Sequence, residues 1–251
     1  MKIFDIGMYD AADTFYYLET GSSVVAVEAN PALCAMAASK LERFVRTGQL
    51  TIVNAAISNE RGPIKLHVCG QDLGSSSLYA DRIAERFPLG SYEVPAIKIQ
   101  DLLDQYGQPD FIKIDIEGAD QDCVLSLNAT NAPAYLSFEA GADLALTLDH
   151  ACRIGYRLFK IIHQSSFRSF QRQDSIRDRA ARRIIRWLGY GLPRQVKRNG
   201  RMFILEHSAG PAPWESDGRW YSLDQTLASW EMAKRRQRTS AWYDVHATKS
   251  I

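Results

Sequence analysis

FDIGMYDAADT, residues 4 to 14, is the stretch whose reading decides the fold. A short apolar strand, residues 2–6, runs into Gly7, and helical character follows over residues 11–18. A strand that ends in glycine and turns into a helix opens an α/β sheet. In such sheets ligands sit outside the carboxyl ends of the strands, near the point where strand order reverses. Glycine lets the backbone approach a ligand, and the helix N-terminus offers free N–H groups. Asp5 sets a carboxylate at that edge. It would repel a pyrophosphate, and residues 7 to 12 contain no GxGxxG, so a dinucleotide-dependent oxidoreductase is disfavoured. A cationic ligand suits the position.

Working outward, Ser23 to Val27 (SVVAV) is a β-branched run closed by Glu28. Glu28 lies about 20 residues past the glycine loop, where an acid can hydrogen-bond ribose hydroxyls. Its alternative role is a helix cap before Asn30-Pro31. Pro31 suits a first helical turn, and Leu33, Met36, Ala37, Leu41 and Phe44 then recur at helical spacing. Residues 50–53 read as a third strand, and residues 64–68 and 94–97 as two extra strands around a polar loop. FIKIDI, residues 111 to 116, reads as a buried strand, with a helix from Gly118 through Leu127. Residues 135–138, 157–162 and 201–205 give further strands, the last expected beside residues 157–162, with a helix near residues 143–154. This alternation predicts a mostly parallel sheet covered by helices on both faces.

The 251 residues are enough for one large α/β domain, expected over residues 1–209. An arginine-rich insertion, residues 166–201, interrupts it. The tail, residues 210–251, carries four of the five tryptophans and is expected to dock on the domain. A net charge of +1 gives no global field for nucleic acid. The four cysteines have no zinc spacing and read as reduced thiols. With no signal-peptide pattern and no membrane-length apolar run, a cytoplasmic protein is expected.

KIDIEGAD, residues 113 to 120, carries the chemistry. Lys113, Asp115 and Glu117 alternate with isoleucines, and charges in a central strand are costly unless paired or functional. Lys113 is expected to pair with a neighbouring carboxylate such as Glu139. Asp115 and Glu117 fall at the strand's carboxyl end. There a carboxylate acts as a general base, holds a ligand's amino group or binds a divalent metal.

FDIGMYDAADTFYYLETGSSVVAVEANP, NAAIS, KIDIEGAD and YLSFEAG occur in the order and spacing of the FkbM methyltransferases, which the chain resembles over residues 1 to about 165. GYRLFKIIHQSS, GRWYS and WYDVHA resemble one branch of that family more loosely. The resemblance implies a Rossmann-like class I methyltransferase fold with a seven-stranded sheet. It also implies S-adenosylmethionine as donor, and O-methylation of a hydroxyl on a sugar, glycan or secondary metabolite. Carried over by position, Asp5 and Gly7 line the methionine part of the cofactor, and Glu28 holds the ribose. Asn30, Asn54 and Ala55 neighbour the adenine. Asp115 faces the methyl-transfer centre with Glu117 beside it. The chain departs from the family at Ala11, where a second glycine is usual, and at Met8-Tyr9, which replaces an Ala-Asn pair.

An alcohol acceptor must lose its proton, so a base is required. Asp115 is the first candidate, with Glu117 and His163 next. A divalent cation is compatible with the paired carboxylates, but the sequence assigns it no ligands. RAARRIIRWL, residues 179 to 188, reads as an amphipathic helix packed over the site. Its sharper reading is a lid for an anionic acceptor, or a peripheral membrane contact through residues 177–188. The rival to an enzyme is a non-catalytic relative that binds an anionic partner through this segment.

Overall fold

The alternating signals form an eight-stranded sheet in the computed structural model, which describes residues 1–69, 76–83, 88–141, 143–164, 166–169, 195–205, 207–236 and 242–250. In chain order, β1 (Lys2–Ile6), α1 (Ala12–Glu19), β2 (Ser23–Glu28), α2 (Pro31–Lys40), α3 (Glu42–Arg46) and β3 (Leu50–Asn54) come first. Smaller elements follow: β4 (Ala56–Ile57), β5 (Gly62–Cys69), α4 (Ala80–Ile83) and β6 (Pro88–Ile97). Next are α5 (Ile99–Tyr106), β7 (Phe111–Ile114), α6 (Asp120–Leu125), β8 (Tyr135–Glu139), α7 (Leu144–Arg153) and β9 (Leu158–His163). Last come β10 (Arg168–Ser169), β11 (Gln195–Arg198), β12 (Arg201–Ile204), α8 (Leu223–Arg236) and β13 (Tyr243–Thr248). Most of the insertion, including residues 177–188, lies outside the described residues. Among the described residues no helix is long and apolar enough to cross a membrane.

The strand order is β10-β9-β13-β8-β7-β1-β2-β3. Neighbours from β8 to β3 run parallel, whereas β13 is antiparallel to both β8 and β9, and β10 to β9. The sheet is mostly parallel, as expected, but it is eight-stranded rather than seven-stranded and mixed, with antiparallel strands at one side. Order reverses between β1 and β7, and in such sheets ligands bind at the carboxyl ends of the strands beside that reversal.

Three expectations are corrected. Residues 201–205 do not join the large sheet; β12 forms a two-stranded hairpin with β11. The strand beside β9 is β13, from the tail. Its six residues are all buried, yet Asp244, His246 and Thr248 alternate with Tyr243, Val245 and Ala247, so no apolar run marks it. Finally, FIKIDI leaves the sheet after Ile114. Its neighbour β1 ends at Ile6, and the chain turns once the Asp115 N–H has reached the Ile6 carbonyl at 2.9 Å.

The two faces of the sheet differ in chemistry. On one, Phe4, Ile6, Ile112, Ile114, Leu136, Phe138 and Val245 pack against Leu102, Val124 and Leu148 from α5, α6 and α7. On the other, Asp5, Lys113, Ser137, His246 and Lys160 are successive register partners across five strands. Burying such a row is costly unless each member is hydrogen-bonded. Lys160 donates to the Ser216 carbonyl at 2.7 Å, its ammonium lies 4.4 Å from the Trp220 ring centre, and Ser216 Oγ stands 3.1 Å from His246 Nδ1. Trp214 packs edge-on against Phe111 and Tyr135, so the tail seals this face.

Burial, reinforced by the Lys160 charge, pushes His246 down to about 3. The unfolded chain then holds an extra proton between that value and the ordinary histidine value. Stability from neutral His246 is complete above the ordinary value and lost as pH falls toward about 3. We expect this group to cost about 1.4 kcal/mol per pH unit across the window. His246→Gln should flatten the slope by that amount in chemical denaturation at stepped pH; an unchanged slope would show that the imidazole is not held neutral.

Candidate active site

Gly7 sits at the switch point with φ +85°, and its N–H donates to the Val27 carbonyl at 2.9 Å. A Cβ there would stand 1.8 Å from the Asp115 carbonyl oxygen. Only glycine lets the two loops touch. Ala11, at φ +64°, adopts the left-handed conformation that a glycine would take freely, at a cost of about 1 kcal/mol. It is fully buried, and its N–H closes the turn onto the Met8 carbonyl at 3.0 Å.

Lys113 is the electrostatic centre. Its ammonium lies 3.2 Å from Asp5 Oδ1, 3.4 Å from Asp13 Oδ2 and 3.5 Å from Asp115 Oδ2, and donates to the Gly7 carbonyl at 3.0 Å. Desolvation alone would lower its pKa, but Asp5, Asp115 and Asp13 together hold it well above the ordinary lysine value. The expected partner, Glu139, is not among these, because Lys113 is level with Ser137 and Glu139 lies two residues further along β8. Asp5 is fully enclosed; Thr14 Oγ1 donates to its other oxygen at 2.5 Å. It therefore reaches the crevice only through Lys113 and the loop that Lys113 holds.

Glu28, at the end of β2, accepts the Tyr9 N–H at 2.9 Å and the Asn30 N–H at 2.8 Å. Burial raises its pKa against those two donors. Asn30, not Glu28, caps α2, accepting the Ala32 N–H at 3.0 Å. Asn54 donates to the Glu28 and Ala29 carbonyls, and the Ala55 N–H also reaches Glu28. Glu28, Asn30, Asn54 and Ala55 thus form one connected group at the ends of β2 and β3.

Asp115 is 44% exposed at its side chain, in contrast to its enclosed partners. Glu117 follows with φ +44°, and its carbonyl accepts from Ser77 Oγ at 2.8 Å. Beyond them stand carboxylates that the sequence reading did not single out as site residues. Asp120 is buried and accepts the Ile116 and Gly118 N–H groups; burial and then Asp115 push its pKa up to about 6. Burial, followed by Asp120, Asp115, Asp244 and Glu117, pushes Glu139 up to about 9. Asp244 is raised well above the ordinary value by burial and by Asp115. Asp244 lay hidden in a strand without an apolar run, and only strand register places it beside Glu139.

The structure does not bring His163 to this group. Three strand spacings, about 14 Å, separate β9 from β7. Its ring packs against Tyr243 at 5.0 Å, and strand alternation puts it on the face opposite Asp244. A different histidine, His207, lies 2.8 Å from Asp10 Oδ2 and packs its ring against Tyr9 at 5.4 Å. The Ala209 N–H donates to Asp13 at 2.9 Å, so residues 207–209 clamp onto the glycine loop and α1. No local signal marks a contact across nearly two hundred residues.

Parallel strands that switch order between β1 and β7, with a bare glycine and carboxylates at the switch, define an α/β fold of the class that binds ligands at that point. The family model for the methyltransferase FkbM domain matches residues 5–193. The chain belongs to the FkbM methyltransferase family, and methyl transfer is its activity. A comparison with curated proteins returned no match. Among solved structures, a precorrin-6y C5,15-methyltransferase from Geobacter metallireducens is similar at 11% identity, over 100% of this chain and 80% of that one, with a TM-score of 0.44. A TehB-like SAM-dependent methyltransferase from Corynebacterium glutamicum is similar at 14% identity, over 64% and 68%, with a TM-score of 0.35. Likenesses this distant add nothing to the family assignment.

Gly7→Ala should force the two loops apart. We expect a stability loss of about 2–3 kcal/mol by thermal denaturation. Wild-type stability in this variant would contradict the close approach.

Proposed function

We propose that the crevice between β1 and β7 holds S-adenosylmethionine, and that the enzyme O-methylates a neutral hydroxyl compound such as a sugar, glycan or secondary metabolite. The Asp115 carboxylate carries this reading: it is exposed at the switch point, while Lys113 anchors it from behind. The chemistry of the donor set fits the cofactor. Gly7 leaves bare backbone where a side chain would collide, and the surrounding carbonyls and carboxylates suit an amino group and a sulfonium. S-adenosylmethionine, when bound, supplies an electrophilic methyl group.

The chain's residues divide the remaining work. Glu28 has lone pairs left for ribose hydroxyls after accepting its two backbone N–H groups. Asn30, Asn54 and Ala55 flank the adenine, and Asp5 and Lys113 hold the glycine loop in place. Asp115 accepts the proton of the acceptor hydroxyl, with Glu117 the neighbouring carboxylate. Asp115, Asp120, Glu139 and Asp244 offer a cluster of carboxyl oxygens beside the switch point, which suits hydrogen bonding to an uncharged hydroxyl acceptor.

Calorimetric titration with S-adenosylmethionine should show one site per chain; no heat at millimolar cofactor would contradict the reading. Asp115→Asn should keep the fold and lower turnover by about a hundredfold to ten-thousandfold. Undiminished turnover would move the base elsewhere.

A further inference from the structure

We propose that Asp115, Asp120 and Glu139 form a site for one divalent cation, with Asp244 beside them. Oxygens of the three carboxylates lie within 4.8 Å of one another. Ligands about 2.4 Å from a calcium-sized ion stand up to about 4.8 Å apart across it, so the three oxygens are close enough together to share a single ion. An all-oxygen donor set selects magnesium, calcium or manganese over softer metals.

An independent observation points the same way. Asp244 is 4% exposed; its Oδ1 accepts from Gln164 at 2.9 Å, while its Oδ2 is buried with no hydrogen-bond partner. Asp244 is the register partner of Glu139 on the adjacent strand, so both side chains leave the sheet on the same face. An orphaned carboxylate oxygen beside three further carboxylates is costly unless a cation faces it. Lys113 does not serve, because its ion pairs reach only Asp5, Asp13 and Asp115. Among the described residues no lysine or arginine forms an ion pair with Asp120, Glu139 or Asp244. Asp120 already accepts the Ile116 and Gly118 N–H groups, which orient its carboxylate as outer hydrogen bonds orient metal ligands.

The cation would lie beside the methyl acceptor if the crevice acts as proposed above, but its binding is testable without cofactor. Manganese titration of the full chain, followed by electron paramagnetic resonance, should remove one equivalent of free-ion signal, and magnesium or calcium should restore it. Glu139→Gln should weaken manganese binding by about tenfold or more. In chelator it should melt at or above the wild-type temperature, because crowding against three other carboxyl groups is relieved. Full free-ion signal at millimolar manganese, or unchanged affinity in a folded Glu139→Gln, would overturn the site. Parallel calorimetry with S-adenosylmethionine in chelator separates the two readings. Cofactor binding without manganese binding overturns the cation site alone. Manganese binding without cofactor binding supports the cation site and counts against S-adenosylmethionine in this crevice.

Discussion

One buried ammonium organises the carboxyl end of this sheet. Lys113 is 4% exposed at its side chain and is surrounded by Asp5, Asp13 and Asp115. Through them it ties β7 to β1, to the glycine loop and to α1. Asp13 extends the tie, because Ser208 and the Ala209 N–H also donate to it. Three carboxylates sharing one cation cannot all be fully compensated, and burial accordingly raises Asp13 even with Lys113 opposing it. Loss of the ammonium would leave Asp5 and Asp13 buried without a cation, which makes Lys113 the member the others depend on.

Strand register then sorts the charges into two rows. Asp5, Lys113, Ser137, His246 and Lys160 form an enclosed row in which Lys113 donates to Asp5, and Lys160 and His246 reach Ser216. Two residues after Ser137 on β8 and two before His246 on β13, Glu139 and Asp244 begin an acidic row, which Asp115 and Asp120 extend. The first row holds the sheet to its cover. The second crowds carboxyl groups together, and burial with that crowding raises the pKa of Asp120, Glu139 and Asp244. Scaffold and chemistry are thus separated by a single period of strand alternation.

The sequence marked β1, β2, β7 and their loops because each is an apolar run closed by a glycine or an acid. Gly7, Glu28 and Asp115 were legible for the same reason, as were the KIDIEGAD charges that had to be paired or functional. β13 was not legible, since polar residues occupy every second position and find partners only through Ser137, Glu139 and Lys160. The Lys113 partner was misjudged because adjacency of strands says nothing about register, and Glu139 stands one row too far. Residues 201–205 looked like a core strand by composition, yet they pair locally with β11. Ala11 illustrates the reverse case: the positive φ expected of a glycine is present, carried by an alanine.

The measurement that tests the account most directly is a double-mutant cycle between Lys113→Met and Asp5→Asn, read as unfolding free energy. Lys113→Met alone should cost about 3–5 kcal/mol, because it strands buried carboxylates. In the Asp5→Asn background it should cost less, with a coupling of about 1–3 kcal/mol. A Lys113→Met loss below about 1 kcal/mol, or strict additivity of the two changes, would contradict the claim that this ammonium holds the site together.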